Sequence, residues 1–183
     1  MLGSLLVLVG AAVASAAPLF PGAAGANQPG AAAGLHGGER HTLGIPTGNL
    51  TPGDTVRGRH VVANGASQSV RYSLSSASAN DDGKSVRDIF QVTIRLADQA
   101  SGAAATCEQF DGQILYDGPL GASTAGFGDA QMGGQTGDRP LASGQSETLC
   151  FEITMPGETG NEYQGATTST AWTIATEQDA GNP

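Results

Sequence analysis

Three histidines, two cysteines and a few paired carboxylates are the side chains that could do chemistry in this chain. A zinc peptidase needs two imidazoles one helical turn apart with a glutamate as base, because only that spacing brings both rings to one metal. His36, His41 and His60 stand in no E-x-x-H pattern, so they read as surface histidines. Serine hydrolysis would need a sharp G-x-S-x-G elbow, which is absent, and the many Ser and Thr sit in strand-like and turn-like runs. Asp81-Asp82, and Asp111 with Asp117, are carboxylate pairs without a cleft to work in, and they read as turn-forming or solvated. No D-x-D-x-D-G calcium loop occurs. Asn49-Leu50-Thr51 is formally a glycosylation sequon and reads as the approach to a turn. The residues therefore call for no catalytic group, no metal and no cofactor, and point to a protein that is not an enzyme.

The cysteines and the first residues suggest where the protein works. An apolar run from Leu5 to Ala14 is followed by small residues that satisfy an A-x-A site at Ala14 and Ala16. That is the pattern of a secretory signal peptide over residues 1–16, with Pro18, Pro21 and Gly22 directly behind it. Cleavage there leaves no membrane span. In an exported chain an even cysteine count implies a bridge, here Cys107 to Cys150.

Eight basic against seventeen acidic side chains give a net charge of -9. Such a surface repels nucleic acid and anionic membranes. The acids are spread along the chain, which favours solubility over a dedicated acidic tail.

The elements that must position these residues read as strands. Residues 17–38 are a Gly/Ala/Pro-rich stretch with no period of two or of 3.6, and are expected to be a flexible segment. Beyond them, short runs of alternating apolar and polar residues are separated by Gly, Pro, Asn and Asp. Thr42–Ile45 is the first, followed by a tight turn at Pro52-Gly53. Val56–Ala63 ends at Asn64-Gly65; Val70, Tyr72 and Leu74 alternate, as do Phe90, Val92, Ile94 and Leu96. Cys107–Phe110 and Gln113–Tyr116 suggest a hairpin about Asp111-Gly112. The Gly-rich stretch Asp117–Gly144 is long enough to be functional or to hide a short strand. Leu149, Phe151, Ile153 and Met155 line one face of a strand, which sends Cys150 and Glu152 to the other and puts the bridge outside a sheet. Trp172 and Ile174 face inward on the last strand. The fold class expected is all-β, an antiparallel β-sandwich of jelly-roll type with about eight strands over residues 39–178 and a tail at 179–183.

The stretches LTPGD, VVANGASQSVRYSL, FQVTIRL, TCEQF, ILYDGPLG, LASGQSETLCFEITMP and NEYQGATTSTAWTIATEQ, in this order from Leu43 to Gln178, resemble the TasA/camelysin family of exported proteins. The resemblance implies a jelly-roll domain secreted behind a SipW-type signal peptide, in a family that includes fibre subunits of the biofilm matrix. Some of its members carry a metallopeptidase label. In related filaments an N-terminal strand of one subunit completes a sheet of the next. Where the family has a β-forming strand after its leader, this chain has PLFPGAAGANQPGAAAG, whose prolines lack donors and whose glycines weaken a strand. The candidate donor is therefore the short stretch Arg40, His41, Thr42, Leu43, Gly44 and Ile45, with the Gly/Ala segment as tether. Partners would be further copies of the chain or other matrix proteins. A monomeric surface-binding module is the alternative, and a camelysin-like peptidase a distant third.

Export is open to direct measurement: mass spectrometry of the culture supernatant should find a mature N-terminus near Ala17, whereas full-length protein confined to the cytosol would refute the leader.

Overall fold

In a computed structural model the described residues are 50–98 and 106–179, together with the backbone of 33–35 and 40–43. Residues 1–32, and with them the whole leader, lie outside this set, as do 36–39, 44–49, 99–105 and 180–183. The described residues form ten strands: β1 (Ala33–Leu35), β2 (Arg40–Leu43), β3 (Thr55–Asn64), β4 (Val70–Ser78), β5 (Gln91–Leu96), β6 (Ile114–Pro119), β7 (Gly126–Phe127), β8 (Arg139–Leu141), β9 (Ser146–Thr154) and β10 (Thr170–Gln178). They lie in two sheets. One runs β1-β3-β9-β5-β6; the other runs β2-β10-β4-β7, with β8 pairing β4 beyond β7. The eight strands from β3 to β10 pair antiparallel with one another, four in each sheet. The protein is an all-β sandwich.

Its pairing is that of a long hairpin folded over on itself. β2 pairs β10, β3 pairs β9, β4 pairs β7 and β5 pairs β6, each pair nested inside the one before. This nesting is the jelly-roll pattern, with β8 as an added strand and β1 laid in parallel outside β3. Ala33–Leu35 thus forms a strand within the stretch expected to be flexible.

Alternation builds the core. From β9 come Leu149, Phe151 and Ile153, from β5 Val92 and Ile94, and from β3 Val62; the other sheet supplies Val70, Tyr72, Leu74, Trp172 and Ile174, all buried. Phe151 and Trp172 meet edge to face across the sandwich at 5.3 Å between ring centroids. That geometry brings a positive ring edge to a negative ring face and adds to the burial of two large side chains.

On β3 the arginines decide the phase. Arg57 and Arg59 must keep their charge near water, so the even positions turn inward. His60, read from sequence as a surface residue, is consequently buried at 7 % exposure.

The connections follow local chemistry. At Thr51–Asp54 the backbone N–H and hydroxyl of Thr51 donate to the Asp54 carboxylate at 2.8 and 2.7 Å, and Gly53 takes a φ of 90°. The expected Asp111-Gly112 hairpin does not form. Residues 106–113 are not a strand, and β6 pairs with β5 instead. Asp117–Gly144 holds the end of β6 and all of β7 and β8, and its loop is ordered by Asp138, whose two oxygens accept the N–H groups of Asp129 and Gln135 at 2.9 and 2.8 Å.

One polar clamp joins the sheets. Glu147 on β9 accepts the Tyr72 hydroxyl from β4 and a two-pronged contact from Arg139 on β8, each prong 2.7 Å. Burial pushes the Tyr72 phenol up, and the Glu147 carboxylate beside it pushes further, against the pull of Arg139. Tyr72 therefore stays a donor. Glu147→Ala removes both charge-assisted partners and should cost about 1.5–3 kcal/mol. The midpoint of thermal unfolding should fall by several degrees, and an unchanged midpoint would show that the clamp is idle.

Candidate functional site

Two places gather the residues singled out from sequence: a sheet border and the outer face of the β3-β9-β5 sheet. At the border, Arg40–Leu43 of the candidate donor pairs antiparallel with the last strand of its own chain, Leu43 opposite Trp172 and Arg40 opposite Ala175. Gly44 and Ile45 lie outside the described residues. The strand is the outermost of its sheet, so β10 holds it from one side only. β3 carries β1 in the same way on the other sheet, with Ala33 opposite Val62, Gly34 opposite Ala63 and Leu35 opposite Asn64.

The outer face is organised by the disulfide. Cys107 and Cys150 are bonded, their Cα atoms 5.6 Å apart. As alternation requires, Cys150 leaves β9 on the side away from the core. It is nevertheless 0 % exposed, because residues 106–113 cross over it. In register, Cys150 stands between Arg59 on β3 and Arg95 on β5, while Glu152 stands between Arg57 and Thr93. Arg57 donates to Glu152 at 2.7 Å and to the Glu108 carbonyl at 3.4 Å, and Arg95 donates to the Gly112 carbonyl at 3.0 Å. Both guanidinium groups also lie over the Phe110 ring, 5.0 and 5.2 Å from its centroid. Stacking on an aromatic face is a way to hold two like charges close together. Gly112 has to be glycine, since a Cβ there would run into the carbonyl oxygens of Leu96 and Ala97.

Asp98 anchors the start of this segment. Its carboxylate accepts the Thr106 hydroxyl at 2.6 Å and the Gln109 N–H at 3.1 Å. Burial pushes its carboxyl up, yet the Thr106 hydroxyl and the N–H groups of Gln109, Asp111 and Phe110 outweigh that and hold it below the usual carboxylate range. Nothing in the sequence singled out Asp98, Arg57, Arg95 or Phe110. The signal was present only as the alternating arginines Arg57 and Arg59 of β3.

The remaining candidates do not converge. His60 lies in the interior, His41 has only its backbone described, and His36 is outside the described residues. Among the described residues no three His, Cys, Asp or Glu side chains are grouped to hold a metal ion. Asp82 accepts the N–H groups of Thr167 at 2.6 Å and Lys84 at 2.9 Å, which ties two connections together, and Asp117 accepts the Thr93 hydroxyl at 3.1 Å. A cleft of about 600 Å³ opens at the end of the sandwich where β3 begins, floored by Val86, Phe90 and Met155, with Tyr163, Gln164 and Thr167 on its rim. No described helix is long and apolar enough to cross a membrane.

No protein-family model matches the chain, and no curated protein matches it either. What the molecule does has to be argued from its borders and faces.

Two measurements test the disulfide face. Replacing Cys107 and Cys150 together by serine opens a loop with a sequence separation of 43, which should cost about 4 kcal/mol on chain entropy; a variant as stable as the parent would show that the bridge contributes little. Asp98 sets an acid limit. With its carboxyl depressed in the folded state, its contribution is complete above the ordinary value of 3.8 and is lost as pH falls through the depressed one. Asp98→Asn should lower stability at neutral pH and flatten the acid side of a stability profile followed by circular dichroism.

Proposed function

We propose that this is an exported structural protein, a subunit of an extracellular matrix or filament that assembles by strand addition at a sheet edge. The observation that carries the reading is the position of Arg40–Leu43: it is the first strand of the jelly roll, it lies at a border, and it is held from one side by β10 alone. A border strand delivered by the chain's N-terminal part can be supplied by a second copy with the same register. When it leaves, β10 presents a row of unpaired N–H and C=O groups, and such a row is costly to leave bare and adhesive to another strand. Exchange between copies arranged head to tail does not close, so it yields filaments rather than dimers. The ordered resemblance to the TasA/camelysin family supports the same reading, as does a disulfide suited to an oxidising compartment.

The alternative is a monomeric secreted binding module, favoured by the apolar-floored cleft beside Val86 and Phe90. Concentration separates the two. Negative-stain imaging and sedimentation of the mature protein should show polymer above a threshold concentration. Thr42→Pro, which removes a donor from the middle of β2, should raise that threshold at least tenfold. A protein that stays monomeric at the highest soluble concentration would hand the case to the binding module.

A further inference from the structure

The cleft at the end of the sandwich where β3 begins is built by three connections. Val86 and Phe90, from the link between β4 and β5, form its buried floor together with Met155 at the end of β9. The link from β9 to β10 makes a wall, in which Tyr163 is half-buried against the core while Asn161, Gln164 and Thr167 are exposed. Thr51 and Pro52 contribute from the turn before β3. These pieces are tied to one another by the fold itself. The Asp82 carboxylate accepts both the N–H and the hydroxyl of Thr167, at 2.6 and 3.3 Å, and Lys84 Nζ donates to the Gln164 carbonyl at 2.6 Å. The Thr168 hydroxyl donates to the Ala79 carbonyl at 2.8 Å, and the Gly53 N–H to the Met155 carbonyl at 2.9 Å. A cavity framed in this way needs little ordering when a ligand enters. Its volume of about 600 Å³ is that of a small-molecule site.

The lining selects the chemistry of the occupant. The chain carries a net charge of -9, yet no Asp, Glu, Lys or Arg is among the described residues that line the cleft. Asp82 and Lys84 are engaged by the wall, and the Glu162 carboxylate lies against Gly160. An ion entering the cleft would lose water and meet no counter-charge. What the cleft presents is an apolar floor beneath a rim of amides and hydroxyls, groups that both donate and accept hydrogen bonds. A hydrocarbon would leave that rim unused. A sugar ring matches both parts, because it carries an apolar face of C–H groups and an edge of hydroxyls that also donate and accept, and an aromatic side chain with a polar tip suits such an amphipathic ring.

We infer that this cleft binds a neutral oligosaccharide, with the C–H face of a sugar ring against Tyr163 and the apolar floor and its hydroxyls bonded to Asn161, Gln164 and Thr167. The site goes beyond the assembly reading and does not depend on it, since it is made of connections and not of a border strand. In a matrix subunit it would tie protein to polysaccharide; in a monomeric module it would be the ligand site itself.

Saturation-transfer NMR and calorimetry test the site on the full mature protein, with neutral oligosaccharides of glucose, mannose, xylose and galactose as probes and oligogalacturonate as the acidic control. At least one neutral probe should bind, and the acidic one should not. Asn161→Ala combined with Gln164→Ala removes two exposed amides and leaves the core as it is, so the thermal midpoint should hold while affinity for that probe falls about tenfold. The inference is overturned if no neutral probe binds, if the double variant binds as tightly as the parent, or if oligogalacturonate binds as well as the best neutral sugar. Sedimentation of the same samples reports on assembly separately: filaments with a silent cleft refute this inference alone, and a sugar-binding protein that never polymerises refutes strand addition alone.

Discussion

β9 sits between β3 and β5 and is paired in register on both sides, and the two-residue period of that one strand governs most of what surrounds it. Leu149, Phe151 and Ile153 point into the sandwich, where Phe151 meets Trp172 and holds the sheets together. Cys150 and Glu152 must then point out. The outward row binds Cys107 and pairs Arg57, and through them it lays residues 106–113 over the sheet. A slip of one residue would bury Glu152 and expose Phe151, losing the core and the bridge together. Core packing and disulfide thus support a single register from opposite faces.

The covering segment changes what an outer face means. A strand pattern predicts that outward residues meet water, yet Cys150 is fully buried and the guanidinium groups of Arg57 and Arg95 lie against Phe110. Asp98 gathers hydroxyl and backbone donors at the start of the same segment. The polar groups needed to hold a non-strand stretch against a sheet come from this small set, and each depends on the others being in place. The face therefore reads as architecture, a lid built of loop, rather than as a surface awaiting a ligand.

Borders are the other constraint. A sandwich leaves row upon row of unpaired backbone groups at its edges. Here one side is sealed by the chain's own early residues and the other by the approach of β6 and β7. A seal made of a short N-terminal length, attached by one side only, is the part of such a fold most readily lent to a neighbour. The assembly proposed above follows from that economy.

Much was legible in the chain before any coordinates. Period-two runs closed by Pro-Gly, Asn-Gly and Gly determined the strands at Thr55–Asn64, Val70–Ser78, Gln91–Leu96, Ser146–Thr154 and Thr170–Gln178, and the run LCFEI determined that Cys150 would oppose the core, because a pleated strand permits nothing else. The turn at Thr51–Asp54 was likewise local, written in the types of four successive residues. Other features depended on partners distant in sequence. That Asp111-Gly112 would not make a hairpin was decided by Cys150, which draws Cys107 across the sheet, and by β5, which takes β6 as its neighbour. That Ala33–Leu35 would be a strand was decided by the bare border of β3, since nothing in AGL itself specifies extension. His60 went inside because Arg57 and Arg59 needed the outside, a competition visible in sequence only once the strand's two faces are assigned. Local alternation determines which way each side chain points; only the tertiary structure decides what it meets there, because the choice among strand neighbours is made by contacts across the sheets.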